Sequence, residues 1–197
     1  MTITDTAARA ADTATPIHPT LASRWSPRSF EATTPIDEVA LAAALEAARW
    51  APSAANTQPA RFIVARRGSE AFSKIADSLM GFNSVWAGSA SVLLVAVAEV
   101  TDDEGQPRRW AEYDLGQAMA SFTFQAHHDG LHVHQMGGFD ADAVRTAFGL
   151  SERYVPLTVA AVGTLAPAEA LANETLIARE SAPRTRLPLA DLLLADA

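Results

Sequence analysis

The sequence contains no cysteine among its 197 residues. Disulfides, thiolate nucleophiles and thiolate metal ligands are therefore excluded, and the absence fits a cytoplasmic protein. No apolar run reaches the roughly 18 residues that a membrane-spanning helix requires. No Gly-x-Gly-x-x-Gly pattern follows a strand pattern, and no Walker loop occurs, so neither a Rossmann dinucleotide site nor a P-loop is predicted.

Positive charge is also scarce. The 15 Lys and Arg residues are outnumbered by 23 Asp and Glu, which gives a net charge of −8, so nucleic acid and anionic membranes are not expected partners. Hydrophobic residues make up 49% and charged residues 19%, a balance typical of a globular protein. We predict a flexible arm over residues 1–16, which lacks the pattern of a signal peptide, and one domain over residues 17–197.

Helical and strand patterns alternate along the domain, which predicts a three-layer sandwich of the α/β or α+β class. The expected helices cover residues 19–25, 35–49, 68–79, 108–129, 141–148 and 169–179, and the expected strands cover residues 61–67, 91–100, 131–135 and 156–165. The strand at 91–100 is a continuous apolar run, typical of a strand buried on both faces. For the helix at 35–49 we expect Thr34 as N-cap, with Asp37 closing a capping box.

The turn between the helix at 35–49 and the strand at 61–67 is rich in small and amide side chains. Two prolines flank a group that supplies many hydrogen-bonding atoms at little steric cost: Ser53, Asn56, Thr57 and Gln58. Such a connection suggests a bound ligand. It is equally compatible with a solvated loop whose Ser and Asn side chains bond their own backbone.

Residues 51–59, which read Ala-Pro-Ser-Ala-Ala-Asn-Thr-Gln-Pro, resemble the signature of the FMN-dependent nitroreductase family. Three further motifs occur in the family's order: Arg-Trp-Ser-Pro-Arg-Ser-Phe at 24–30, Gln-Met-Gly-Gly-Phe at 135–139 and Pro-Arg-Thr-Arg-Leu-Pro at 183–188. The four motifs extend over nearly the whole chain. The resemblance implies an α+β fold, a mixed sheet flanked by helices in three layers, and an intertwined homodimer with flavin sites at its interface.

The resemblance also implies which residues bind FMN. The phosphate and ribityl chain would be held from two motifs, by Arg24, Trp25, Ser26, Arg184 and Arg186. The isoalloxazine ring would be contacted by Arg28 near N1 and O2, Asn83 at the pyrimidine edge, Gly138 through its N–H near N5, and Gly137 by close approach. The second subunit would complete each site with Pro52, Ser53, Ala54 and Asn56. Trp86 stands where some relatives carry Lys, which removes a positive charge near N1.

The activity implied is hydride transfer from NADH or NADPH through FMN to a nitro, quinone or related acceptor, by a ping-pong mechanism and without a dedicated acid or base. Two alternatives stay open: a flavin-binding protein without turnover, for storage or sensing, and a metal-dependent enzyme that uses His127, His128, His132 and His134. A metal site needs three or four converging ligands, and Asp129 is the only carboxylate nearby, so packing or solvated histidines are the expectation. No Gly-x-Ser-x-Gly elbow supports a serine hydrolase.

Overall fold

A four-stranded sheet forms the centre of the computed structural model, which describes residues 9–195. The strands are β1 (Ala60–Arg66), β2 (Val92–Glu99), β3 (His132–Met136) and β4 (Tyr154–Gly163), in the spatial order β1-β2-β4-β3. Each strand is antiparallel to its neighbours, so the prediction of a mixed sheet is wrong for the described residues. The reason is that β2 and β3, which run in the same direction, are separated by β4.

Helices cover both faces of this sheet. They are α1 (Pro19–Ser23), α2 (Glu38–Arg49), α3 (Glu70–Asp77), α4 (Asn83–Trp86), α5 (Ala111–His128), α6 (Ala141–Phe148) and α7 (Glu174–Ser181). All eight residues of β2 are buried, as its continuous apolar run predicts. Val92, Leu94 and Ala96 pack in the core with α2 and α5. Leu93, Val95 and Val97 pack in a second core with α3 and α6, which confirms a three-layer α+β arrangement.

The start of α2 differs from the prediction. Asp37 is the N-cap, because its carboxylate accepts hydrogen bonds from the N–H groups of Val39 at 2.9 Å and Ala40 at 3.1 Å. The carbonyl of Thr34 instead accepts from the Arg67 guanidinium and the Ser91 hydroxyl. Thr34 is therefore tied to the sheet, and the predicted capping box is wrong.

The helix predicted at 169–179 is divided in two. A 3-10 turn, Ala168–Leu171, is followed by Ala172 in the left-handed region with a φ of 49°. Asn173 then caps α7 by accepting a hydrogen bond from the Leu176 N–H at 3.1 Å. By contrast, α6 has the bounds that its periodicity predicts.

Residues 9–16 contact the domain through the N–H of Ala11, which donates to the carbonyl of Ala22 at 2.8 Å. The flexible arm expected over residues 1–16 stays a prediction, and its first eight residues lie outside the described ones. Within residues 9–195, no helix is long and apolar enough to cross a membrane.

Candidate functional site

Helix α5 places two groups of predicted site residues at opposite ends. Near its start, the Asp114 carboxylate accepts a hydrogen bond from the N–H of Ala54 at 3.0 Å. Near its end, His127 Nε2 lies 2.8 Å from the hydroxyl of Ser23, the residue before Arg24. The two positions are about 20 Å apart along the helix. Within one chain, the loop that contains Ala54 and the motif that contains Arg24 therefore lie too far apart to hold the same phosphate.

Four arginines converge near the end of α5, and we refer to Arg9, Arg24, Arg184 and Arg186 as the arginine cluster. Arg184 Nη1 donates to the carbonyls of Arg9 at 2.7 Å and Ala22 at 2.8 Å. Arg9 Nη2 donates to the carbonyl of Ala182 at 3.3 Å. Among residues 9–195, no carboxylate forms an ion pair with any of the four.

The positive charges of the arginine cluster act on one another. Burial lowers the pKa of Arg24, and the charge of Arg186 lowers it further. Burial likewise lowers the pKa of Arg184, followed by the charges of Arg24, Arg186 and Arg9. The guanidiniums remain protonated at neutral pH, so the repulsion persists until an anion binds. Planar guanidinium groups suit a phosphate, which can accept paired hydrogen bonds from each.

Arg9 is a member of the arginine cluster that sequence reasoning missed. Its guanidinium lies 5.4 Å from the ring centroid of Trp25, and its side chain contacts the segment that leads to Arg184. It is the one basic residue among positions 1–16, in an Ala- and Thr-rich stretch without any motif. In the sequence, Arg9 is distinguished only by being an isolated basic residue in this stretch.

The end of α7 contacts both the first motif and Phe82, which precedes Asn83 at the start of α4. Glu180, which is 8% exposed, accepts a hydrogen bond from the Arg28 N–H at 2.9 Å and lies 3.8 Å from its guanidinium. The adjacent Arg179 guanidinium lies 4.8 Å from the ring centroid of Phe82. The positive charge of Arg28 is thus partly balanced by a buried carboxylate. Glu180 was missed as well, because it lies beyond the predicted helix and in no motif.

Asn83 and Gly138 are brought together as a pair. The Asn83 amide donates to the carbonyl of Gly138 at 3.1 Å, and the Met80 N–H donates to the same carbonyl at 3.0 Å. A Cβ atom at Gly138 would lie 2.9 Å from Asn83 Nδ2, whereas one at Gly137 would meet nothing within 4 Å. A side chain at position 138 would therefore displace the Asn83 amide. The role of Gly137 in approaching a ring stays a prediction.

Two tryptophans of the candidate site lie in the interior. Trp25 is 6% exposed and packs edge-on against His132, with ring centroids 5.3 Å apart, so any contact with a ligand would come through its backbone. Trp86 is 3% exposed and lies between Phe30 at 6.1 Å and His134 at 4.7 Å. Trp86 is therefore a core residue and not a wall of an open pocket.

The histidines near the arginine cluster are used in packing. His134 Nδ1 lies 2.8 Å from the carbonyl of Pro27, and both ring nitrogens of His132 are buried without a hydrogen-bond partner. Burial lowers the pKa of both rings to about 4; the charge of His127 contributes for His132, and that of Arg28 for His134. Across residues 9–195, no three His, Asp or Glu side chains converge to hold a metal, and His128 is exposed.

Residues 52–58 form a loop of unusual backbone conformation, which we call the 52–58 loop. Ala55, Asn56 and Gln58 have φ values of 50°, 55° and 48°. The left-handed region costs a residue with a Cβ roughly 1–2 kcal/mol, so contacts elsewhere must hold this loop. Behind it lies a mostly apolar cavity of about 300 Å³, whose lining includes Pro52, Phe62 and Asp114.

Comparison with known proteins shows the family to which the chain belongs. The model of the Nitroreductase family matches residues 21–85 and 77–164. The chain belongs to the nitroreductase family. It is 36% identical to an oxidoreductase containing FMN, with 93% of each chain covered and a TM-score of 0.86. This nitroreductase-family chain is also 39% identical, over 66% of its length and 90% of the relative's, to an uncharacterized 15.4 kDa protein in the ask 5′ region of Mycolicibacterium smegmatis.

The fold is shared more widely within the family. A nitroreductase-like protein from Desulfovibrio desulfuricans, solved in complex with FMN, is 24% identical and superposes with a TM-score of 0.73 over 92% of this chain and 99% of its own. The resemblance carried by the four sequence motifs is thereby confirmed. The assignment of individual residues to FMN stays a prediction.

Proposed function

We propose that this chain is a cytoplasmic FMN-dependent oxidoreductase that takes hydride from NADH or NADPH and reduces a nitro, quinone or related small-molecule acceptor by a ping-pong mechanism. The observation that carries the proposal is the arginine cluster, which gathers four positive charges that pair with no carboxylate among residues 9–195, in a chain of net charge −8. Such a site suits a phosphate dianion. The FMN named for a relative that is 36% identical supports the same choice of cofactor.

The residues present fit FMN in three respects. Arg24, Arg184 and Arg186 would hold the phosphate, with Ser26 exposed beside them. Asn83 and Gly138 would lie against the ring, and Arg28 would stabilise negative charge there. When bound, FMN supplies the hydride chemistry through N5. The chain itself would bind and orient the cofactor, and protons would come from solvent.

The proposed site takes residues from two copies of the chain, because α5 separates the 52–58 loop from the arginine cluster. Pro52, Ser53, Ala54 and Asn56 would reach the flavin held by the second copy. Large aromatic side chains are exposed around this loop: Trp50 at 74%, Trp110 at 51% and Tyr113 at 65%. Exposed apolar surface of this kind favours a protein interface, as do the exposed leucines at 187, 189, 192, 193 and 194.

The proposal is tested first by the visible spectrum of the purified full-length protein. We expect a yellow protein that releases FMN, and not FAD, on denaturation, with one flavin per chain. Sedimentation should show a dimer, since a folded, flavin-loaded monomer would contradict a site shared by two chains. A colourless protein that binds no added FMN would overturn the assignment of the cofactor.

Turnover separates an oxidoreductase from a flavin-binding protein for storage or sensing. Oxidation of NADH and NADPH is measured with a quinone and, separately, with a nitroaromatic acceptor. Parallel lines in double-reciprocal plots are expected for ping-pong kinetics. A protein that holds FMN stoichiometrically but oxidises neither nucleotide would favour the storage or sensing alternative.

A further inference from the structure

The 52–58 loop is attached to the domain through two of its carbonyl groups. Arg108 Nη1 donates to the carbonyl of Thr57 at 2.7 Å, and Arg61 Nη1 donates to that of Gln58 at 2.7 Å. These bonds anchor the part of the loop that includes the left-handed Gln58. The loop therefore depends on where two guanidinium groups are held.

A single buried carboxylate holds both guanidiniums. Glu99, the last residue of β2, is 1% exposed, and its Oε2 lies 2.5 Å from Arg61 Nη2 and 3.3 Å from Arg108 Nη1. Its Oε1 accepts from Arg153, which also pairs with Asp103. We refer to Glu99, Arg61, Arg108 and Arg153 as the Glu99 cluster. Both carboxylate oxygens are thus used, as a buried charge requires.

The backbone completes this attachment at the same point. The Glu99 N–H donates to the carbonyl of Pro59 at 2.9 Å. Glu99 therefore fixes the strand-side end of the loop directly, and fixes the carbonyls of Thr57 and Gln58 through Arg108 and Arg61. At the other end, the Asp114 carboxylate holds the N–H of Ala54.

We propose that Glu99 is a positioning residue for the cofactor site, acting through Arg61 and Arg108 to hold the 52–58 loop in its left-handed conformation. This inference rests on the proposed function, in which the loop contributes to the FMN site of the second copy. Glu99 itself touches no cofactor. Its effect on FMN passes entirely through the shape of the loop.

A matched pair of variants tests the proposal. Arg108→Gln and Arg153→Gln each remove one guanidinium from Glu99, but only Arg108 contacts a carbonyl of the loop. Glu99 keeps two arginines in either variant, so both chains are expected to fold. Hydrogen exchange of peptides that contain residues 50–62 and titration of FMN by its fluorescence are measured on both variants and on the wild type.

In Arg108→Gln, the amides of Asn56, Thr57 and Gln58 should exchange at least about tenfold faster, and the FMN dissociation constant should rise about tenfold, as for loss of one charge-assisted bond. In Arg153→Gln the exchange rates and the FMN dissociation constant should stay near wild type, even if its melting temperature falls as much as that of Arg108→Gln. Unchanged exchange in Arg108→Gln, or an equal increase in both variants, would overturn the proposal.

The two readouts also separate this inference from the proposed function. Hydrogen exchange on the cofactor-free protein reports the state of the loop whether or not FMN is the ligand. Wild-type protein that binds no FMN would refute the proposed function, while faster exchange confined to Arg108→Gln would still support the anchoring of the loop through Arg108. Tight FMN binding with identical affinity in Arg108→Gln would refute the link between them.

Discussion

Two groups of arginines, one near each end of α5, are in opposite electrostatic states. In the arginine cluster, the guanidiniums of Arg9, Arg184 and Arg186 donate to backbone carbonyls, and none of the four pairs with a carboxylate among residues 9–195. In the Glu99 cluster, three guanidiniums surround one buried carboxylate, and each forms an ion pair with it. The first arrangement leaves charge available for a ligand, whereas the second uses charge to hold backbone in place.

This difference shows how the same residue type serves two purposes in one chain. In the Glu99 cluster, positive charge is paired with a buried carboxylate and holds the backbone of the 52–58 loop. Charge that is left unpaired costs free energy through mutual repulsion until an anion arrives. The state of its neighbours, and not the arginine itself, therefore indicates where a phosphate would bind. The predictions that follow test the two regions separately.

The largest effect is expected at the arginine cluster. The double variant Arg24→Ala with Arg186→Ala removes two donors to the proposed phosphate, so FMN binding should weaken by about 3–6 kcal/mol, or two to four decades in the dissociation constant. The FMN dissociation constant is measured by titration of FMN fluorescence. The control is Arg66→Ala with Arg145→Ala, which removes the same charge from arginines paired with Glu38 and Asp142. Equal affinity in both double variants would place the phosphate elsewhere.

The Glu99 cluster should instead affect folding. Glu99→Gln leaves three guanidiniums around a neutral, buried amide, so the free energy of unfolding should fall by about 3–5 kcal/mol. Urea denaturation of the two variants Glu99→Gln and Glu38→Gln gives the comparison. Glu38 also pairs with an arginine, but in an exposed ion pair, so its loss should leave stability close to wild type. An equal decrease in the free energy of unfolding for both variants would show that the burial of Glu99 does not increase its effect on stability.

Acid should weaken the region of the arginine cluster through His132. The pKa of this ring is about 4 in the folded chain, against 6.5 for a histidine in the unfolded chain, so the unfolded chain binds more protons between these limits. The contribution of His132 to the free energy of unfolding is therefore fully present above pH 6.5. It is lost as the pH drops toward 4, by about 3 kcal/mol in total.

The variant His132→Phe isolates that contribution. Because neither ring nitrogen of His132 has a hydrogen-bond partner, Phe retains the packing and loses no hydrogen bond. Its free energy of unfolding should match or exceed that of the wild type at pH 7.5, and should decline less steeply down to pH 4. Identical slopes for the two proteins would show that His132 protonates as readily in the folded chain as in the unfolded one.

The smallest effect is expected at the glycine pair. Gly138→Ala displaces the Asn83 amide and breaks its bond to the Gly138 carbonyl, so the free energy of unfolding should fall by about 1 kcal/mol. Gly137→Ala, which meets nothing within 4 Å, should not destabilise the chain but should weaken FMN if the ring approaches there. A Gly137→Ala variant that binds FMN as wild type does would remove Gly137 from the proposed site.

Much of the fold follows from local pattern, because periodicity and capping act over a few residues. The buried run of β2 and the bounds of α6 are examples. Strand direction depends on which strands become neighbours, and that is set by packing across the whole chain. The prediction of a mixed sheet is accordingly wrong, because it concerned strand neighbours and not local pattern.

The candidate site was predictable only as far as its motifs extend. Asn83 and Gly138 lie 55 residues apart in sequence and are brought together by the fold. Arg9, Glu180 and Glu99 belong to no motif, and each acquires its role from partners that are distant along the chain. The sequence contains one indication of the role of Glu99, because a single carboxylate at the end of a buried apolar strand requires a partner.

The bond between the Arg184 guanidinium and the Arg9 carbonyl joins residues that are 175 positions apart. Because a chain is synthesised from its N-terminus, the segment that carries Arg9 and Arg24 exists long before Arg184 and Arg186 are made. The proposed anion site is therefore incomplete on a growing chain of fewer than 186 residues. A cofactor that needs Arg184 and Arg186 would load only after translation has passed this point, which would make cofactor uptake a late step in the biosynthesis of the protein.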